Sequence, residues 1–302
     1  YASPLLYKEN GFKEKVHAEK LIKDLTNKTA IVKTVDKGIS KKRAPLLFNL
    51  AELQAECSKR FKISPDETLQ VAQDLYERKL TTYPRTDARV LSSAVAKEIS
   101  KNIRGLRSFE PVAPFVQNIV EHGLYKNIGK SSYTDDSKIT DHYAIVPTGQ
   151  VNEYKSLTEL QKRVYELIVR RFLSIFYPPA QYQTVKLTIG IEKESFFAGA
   201  KVLKVPGYLE IAGRPDTKEK REKEDGDGEE NNPKNSAALL KLADSLKEGD
   251  TAEVKEFLVK EGKTSPPKRY TSGSMVLAME NAGQLIEEEE LREQIKGSGI
   301  GT

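Results

Sequence analysis

The sequence predicts an α+β multidomain fold in which a mainly α domain is inserted into a β-rich unit. Three observations predict it. Residues 49–178 carry cap signals and apolar residues at helical spacing. After Tyr182 the period changes to two. The first 45 residues read as a small α/β piece that cannot bury a core alone and needs the later strands as partners. At 302 residues the chain also exceeds the roughly 250 residues at which a single core usually stops growing.

Taken in order, residues 1–8 read as the end of a strand. Residues 14–26 fit a helix with the stripe Val16, Leu21, Ile22 and Leu25, and 29–35 alternate as a strand. The basic run 37–43 and Pro45 read as a connection. Asn49 with Glu52 suggests a capping box, followed by Leu50, Leu53, Cys57 and Phe61. Ser64-Pro65-Asp66-Glu67 is a stronger helix start, with its helix running through Leu69, Ala72, Tyr76 and Leu80. Ser92 or Ser93 opens a helix carrying Val95, Ile99 and Ile103. Thr158 with Gln161 opens a longer one that Pro178-Pro179 halts. Val185, Leu187 and Ile189 then alternate, and 196–205 and 208–211 read as further strands. Residues 214–235 read as a solvated loop without apolar residues. Short elements follow over 239–259, a helix begins over 271–279, and an acidic helix is expected around 287–293. The expected division is 1–45 and 183–262 for the β-rich unit, 46–182 for the α domain, and 263–302 for the start of a further helical domain.

Composition narrows the class. Charged residues make up 31% and hydrophobic residues 38%, and the net charge is +5, which permits a polyanionic partner without requiring one. Cys57 is the only cysteine, so no disulfide framework is possible and a reducing compartment is the simplest reading. No stretch approaches the roughly 18 apolar residues of a membrane span, and the first residues are not a signal peptide. The chain opens without Met on strand-like residues and stops in glycines. It is therefore expected to be an internal piece of a longer protein.

Three clusters carry chemistry. In Thr81-Thr82-Tyr83-Pro84-Arg85-Thr86-Asp87 a proline locks an extended turn, crowding a phenol, a guanidinium, a hydroxyl and a carboxylate. A phenol is a poor nucleophile at pH 7, where ionising it costs ~4 kcal/mol. A guanidinium favours phenolate and grips phosphate oxygens. Thr86 could donate to phosphate, and Asp87 could hold Arg85. Alone, the pattern more often marks a tyrosine beside a turn proline with an Arg–Asp pair. In Asp141-His142-Tyr143-Ala144-Ile145-Val146-Pro147-Thr148, His142 could meet a phosphate or be a satisfied structural histidine. In Pro266-Pro267-Lys268-Arg269-Tyr270-Thr271, Lys268, Arg269 and Tyr270 at a helix start suit a nucleic-acid backbone, or a rigid linker.

Together these motifs resemble the type IA DNA topoisomerases in order and spacing, down to Met279-Glu280 and Gly299-Ile300-Gly301-Thr302. Pro84 after the tyrosine resembles the topoisomerase III branch. Tyr143 stands where many relatives carry Glu. The resemblance covers nearly the whole chain. It implies a toroidal enzyme, with the α domain carrying the active-site tyrosine and the β-rich unit forming an arch. It implies Tyr83 as nucleophile toward single-stranded DNA through a 5′-phosphotyrosine link, with Arg85 and His142 as catalytic partners. It adds Thr86, Asp87, Lys268, Arg269 and Tyr270 as DNA-binding residues. Magnesium belongs to the full enzyme, bound by a Toprim domain that does not precede Tyr83 here, and none is expected in this chain. Asp225-Gly226-Asp227-Gly228-Glu229 has a tempting spacing but no strand to fix it. The resemblance further implies ATP-independent strand passage by a monomer, without membrane, in the cytoplasm at the nucleoid, with a helicase as a possible partner. Isolated, the chain is expected to bind or gate single-stranded DNA without relaxing it. A tyrosine recombinase fits poorly, because no Arg and His-x-x-Arg set precedes a final tyrosine.

Overall fold

The computed structural model describes residues 11–213, 233–263 and 266–282. In chain order its elements are α1 (Lys15–Leu25), β1 (Ala30–Lys42), α2 (Leu50–Phe61), α3 (Pro65–Glu77), α4 (Ser93–Gly105), α5 (Ala113–Glu121) and α6 (Glu159–Ser174). They continue with β2 (Ala180–Ile191), β3 (Glu194–Val205), α7 (Leu209–Ala212), α8 (Pro233–Ser245), β4 (Thr251–Ala252) and α9 (Ser272–Glu280). Packing separates two units. The described residues of Tyr1–Lys42, Pro179–Gly207 and Arg214–Pro266 form one, and those of Arg43–Pro178, Tyr208–Gly213 and Pro267–Thr302 form the other.

The first unit is built on an antiparallel sheet of order β3-β2-β1-β4. Successive side chains of a strand alternate between faces, so Val185, Leu187, Ile189 and Ile191 share one. That face meets Leu240 and Ala243 of α8 at one end and Leu25 of α1 at the other. Val16, expected in the apolar stripe of α1, is instead 67% exposed. The basic run expected as a connection is strand: β1 continues to Lys42, pairing residue by residue with β2 as far as Ala180. Its lysines are exposed. A ladder asks only for backbone groups, and the partner strand supplies them whatever the side chains are.

The second unit is helical, and its starts obey local chemistry. Ser64 accepts from the Glu67 amide at 3.1 Å while the Glu67 carboxylate reaches back to the Ser64 amide at 2.7 Å. Thr158 and Gln161 form the same reciprocal box. Asn49 accepts from the Glu52 amide at 2.9 Å, but the Glu52 carboxylate turns to Arg89 at 2.7 Å, so only half of the expected box forms. The core runs through Leu53, Cys57, Leu75, Ile99, Ile103, Val164, Tyr165, Ile168 and Phe172. Arg171 is half-buried at its edge, donates to the Leu46 carbonyl at 2.9 Å and lies 4.0 Å over the Phe48 ring. Burial pulls its pKa down to about 10, which leaves it charged at neutral pH.

Three expectations change here. The buried face of α3 is Thr68, Val71, Ala72 and Leu75, which leaves Tyr76 40% exposed. Residues 208–211, expected as a strand, form a turn of helix. The Tyr208 amide donates to Pro178 O at 3.0 Å, and Arg170 donates to Ile211 O at 3.0 Å, which fixes the chain in a coil that buries Leu209 and Ile211. This segment packs in the helical unit, although it was read with the strands. Residues 233–235, read within the solvated loop, open α8. The strand expected over 1–8 and the helix over 287–293 lie outside the described residues, as does the remainder of the loop.

Candidate active site

The approach to Tyr83 begins where α3 stops. The helix was expected to reach Leu80 but ends at Glu77. Lys79 takes the left-handed conformation at φ 60°, its amide donates to Tyr76 O at 2.8 Å, and the Leu80 amide donates to Leu75 O at 2.9 Å. This double bond pattern is the Schellman closure, with lysine where glycine is usual. It buries Leu80 and sends the chain out extended.

Residues 79–86 then pair with 142–148. Thr82 donates its amide to Val146 O at 3.0 Å and its hydroxyl to Ala144 O at 3.0 Å, while accepting from the Val146 amide at 2.9 Å. Thr148 donates its amide to Leu80 O at 3.0 Å and its hydroxyl to Lys79 O at 2.6 Å. At the far end the Thr86 hydroxyl donates to His142 O at 2.7 Å. The second segment is in turn held against α4. A Cβ on Gly105 would lie 2.3 Å from Gly149 O, and Gly149 sits at φ 94° with Asn102 O 2.8 Å from where its own Cβ would be. Only glycine tolerates both that closeness and that dihedral.

This stitching sets the rings. The Tyr83 and His142 centroids are 4.5 Å apart at an interplanar angle of 47°, and the Tyr76 ring meets Tyr83 edge-on at 5.4 Å. Tyr83 is half-buried, and Arg85 and His142 are exposed beside buried Pro84 and Thr86. The arrangement packs a phenol against an imidazole with an exposed arginine two residues on, which suits an anionic, phosphate-bearing ligand.

A family model described as "DNA topoisomerase" matches residues 5–302. The chain belongs to the type IA DNA topoisomerases. Bacillus subtilis DNA topoisomerase 3 is 34% identical to it over 272 residues, covering 90% of this chain and 35% of that protein. Bacillus licheniformis DNA topoisomerase 3 is 36% identical over 267 residues, covering 88% and 34%. These relatives place it in the topoisomerase III branch. The chain spans about a third of their length. The full-length topoisomerase I of Thermotoga maritima shares the fold, with a TM-score of 0.58 at 23% identity over 92% of this chain and 41% of that one.

Within this type IA topoisomerase chain, Thr86 and Asp87 both have partners inside the protein. Thr86 is 8% exposed, and its one hydroxyl proton goes to His142 O while its oxygen accepts from the Ala88 amide at 3.1 Å. It has no proton left for phosphate. Asp87 was expected to hold Arg85, but its carboxylate accepts from Thr140 at 3.3 Å. Both residues brace the turn. Lys268, Arg269 and Tyr270 are exposed, with Tyr270 at 57%, immediately before Thr271, which caps α9 by accepting from the Ser274 amide. Sequence reasoning missed Tyr76, Asn49 and Thr82. Tyr76 was counted as core, and the partners of Thr82 lie 62 and 64 residues away.

Among the described residues, no group of three or more His, Cys, Asp or Glu side chains could hold a metal ion, and no helix is long and apolar enough to cross a membrane. The Asp225-Gly226-Asp227-Gly228-Glu229 run lies outside them.

Proposed function

We propose that this chain carries the strand-breaking nucleophile of a type IA topoisomerase. The Tyr83 oxygen attacks a phosphodiester of single-stranded DNA. A Tyr83–phosphorus bond forms as the bond to the 3′ oxygen breaks; the phenol gives up its proton and the departing 3′ oxygen takes one up, leaving a 5′-phosphotyrosine and a 3′ hydroxyl. The ester count is unchanged, so religation runs back without ATP. Arg85 grips the phosphate oxygens with its guanidinium fork. His142 contacts the same phosphate. The observation that carries this reading is the single rigid patch in which Tyr83 packs against His142, with Arg85 exposed two residues on.

Magnesium would be bound by a Toprim domain outside this chain, and a helicase is a candidate partner of the whole, monomeric enzyme at the nucleoid. The exposed Lys268, Arg269 and Tyr270 support single-stranded DNA binding by the isolated chain, combining backbone charge with a stacking ring. Relaxation by the isolated chain is not expected, with or without magnesium. The deciding experiment incubates the full-length polypeptide with end-labelled single-stranded oligonucleotide and traps covalent adduct. Tyr83→Phe should abolish it, and an adduct that persists in this variant refutes the assignment.

A further inference from the structure

Asn49 is 1% exposed, and each polar atom of its side chain has a separate partner. Its oxygen accepts from the Glu52 amide, which caps α2. Its nitrogen has two protons. One goes to the carbonyl of Asp87 at 3.1 Å, and the other goes to the carboxylate of Glu280, in the last turn of α9. The next residue joins in, since the Leu50 amide donates to Thr86 O at 3.1 Å. The start of α2 therefore holds the backbone of the nucleophile turn on one side and the end of α9 on the other.

Helix α9 is seated closely on α2. At Gly273, a Cβ would lie 2.9 Å from Ala55 Cα and from Ser58 Cβ. Glu280 makes its contact seven residues later, about 10 Å along the axis. A carboxylate is poorly placed there for stability. It stands at the helix end that favours cations. Burial pushes its pKa up and Glu52 and Asp87 add like charge, while the hydrogen bond from Asn49 and the charge of Arg89 pull the other way. These local costs are set against one hydrogen bond and the attraction of Arg89, the pattern expected where function rather than stability selects the residue.

We propose that Glu280 is a positioning residue for the strand-breaking reaction. Through Asn49 it fixes the Asp87 carbonyl, and with it the 83–87 turn, while α9 is seated on α2. The segment leading into α9 carries Lys268, Arg269 and Tyr270, so grip on the DNA backbone and alignment of Tyr83 are coupled through one side chain. This rests on the reading of Tyr83 as nucleophile.

The test measures single-turnover adduct formation at saturating single-stranded oligonucleotide, and binding of the same oligonucleotide by anisotropy, in the full-length polypeptide. Glu280→Ala should slow adduct formation about tenfold or more, a loss confined to the chemical step, with affinity within about twofold. Glu280→Gln, whose amide oxygen accepts the same proton, should recover most of the rate. Asn49→Asp keeps the cap but cannot donate, and should be slow like Glu280→Ala. The inference is overturned by a wild-type rate in Glu280→Ala, by a Gln variant as slow as the Ala variant, or by a loss wholly in affinity. A wild type that forms no adduct removes the nucleophile reading, and this inference with it. Adduct in the wild type with no effect of Glu280 removes the inference alone.

Discussion

The imidazole of His142 packs against the phenol of Tyr83 with ring centres 4.5 Å apart, although they lie 59 residues apart in the chain. If His142 serves the reacting phosphate, His142→Ala should lower the rate of covalent adduct by about 100-fold, the scale of losing one donor to developing charge. His142→Phe keeps a ring against Tyr83 without a donor and should be similarly slow. A Phe variant at wild-type rate would reduce the role of His142 to packing.

Tyr76 touches the other side of the same ring, edge-on at 5.4 Å, while 40% exposed. Edge-to-face pairs contribute about 1 kcal/mol, so Tyr76→Ala should slow adduct formation several-fold while Tyr76→Phe leaves it near wild type. Equal slowing in both would point to the hydroxyl instead of the ring.

Cys57 lies in the core, and burial pushes its thiol up to about 12. It should resist thiol reagents at pH 8 in the folded chain and react fully in denaturant. The pH dependence has a definite sign. Above pH 9.0, the ordinary thiol value, the unfolded chain loses this proton and the folded chain keeps it. Stability should therefore fall with rising pH by up to about 1.4 kcal/mol per unit from this group alone. Cys57→Ala should be less stable at neutral pH but should lack that part of the alkaline slope. Denaturation curves of both proteins between pH 8 and 10.5 give the comparison.

Gly149→Ala should cost about 1–3 kcal/mol, because it forces a side chain into a left-handed backbone against the Asn102 carbonyl. Urea midpoints measure this. Loss of stability should be accompanied by loss of adduct, since Gly149 directly follows Thr148, which anchors the segment carrying His142.

What the sequence revealed and what it hid divide by the range of the deciding interaction. The boxes at Ser64 and Thr158 were legible because donor and acceptor lie three residues apart. The helix at Leu209–Ala212 was not, because Pro178 and Arg170 decide it from elsewhere in the chain. The strand over 37–42 was hidden in the same way, since lysines say nothing of the partner that pairs with their backbone. At the candidate site, the motifs carrying Tyr83, Arg85 and His142, whose roles are proposed, could be read from the sequence. That Thr86 gives its proton to a carbonyl 56 residues away could not.

The two segments that carry Tyr83 and His142 share their hydrogen bonds through Thr82, Thr86 and Thr148. Neither is therefore a portable cassette. A chimera that grafts residues 79–87 alone into a related scaffold would arrive with donors facing the wrong acceptors. The smallest transplantable unit is both segments together, with the glycine at 105 that lets the second lie flat against its helix.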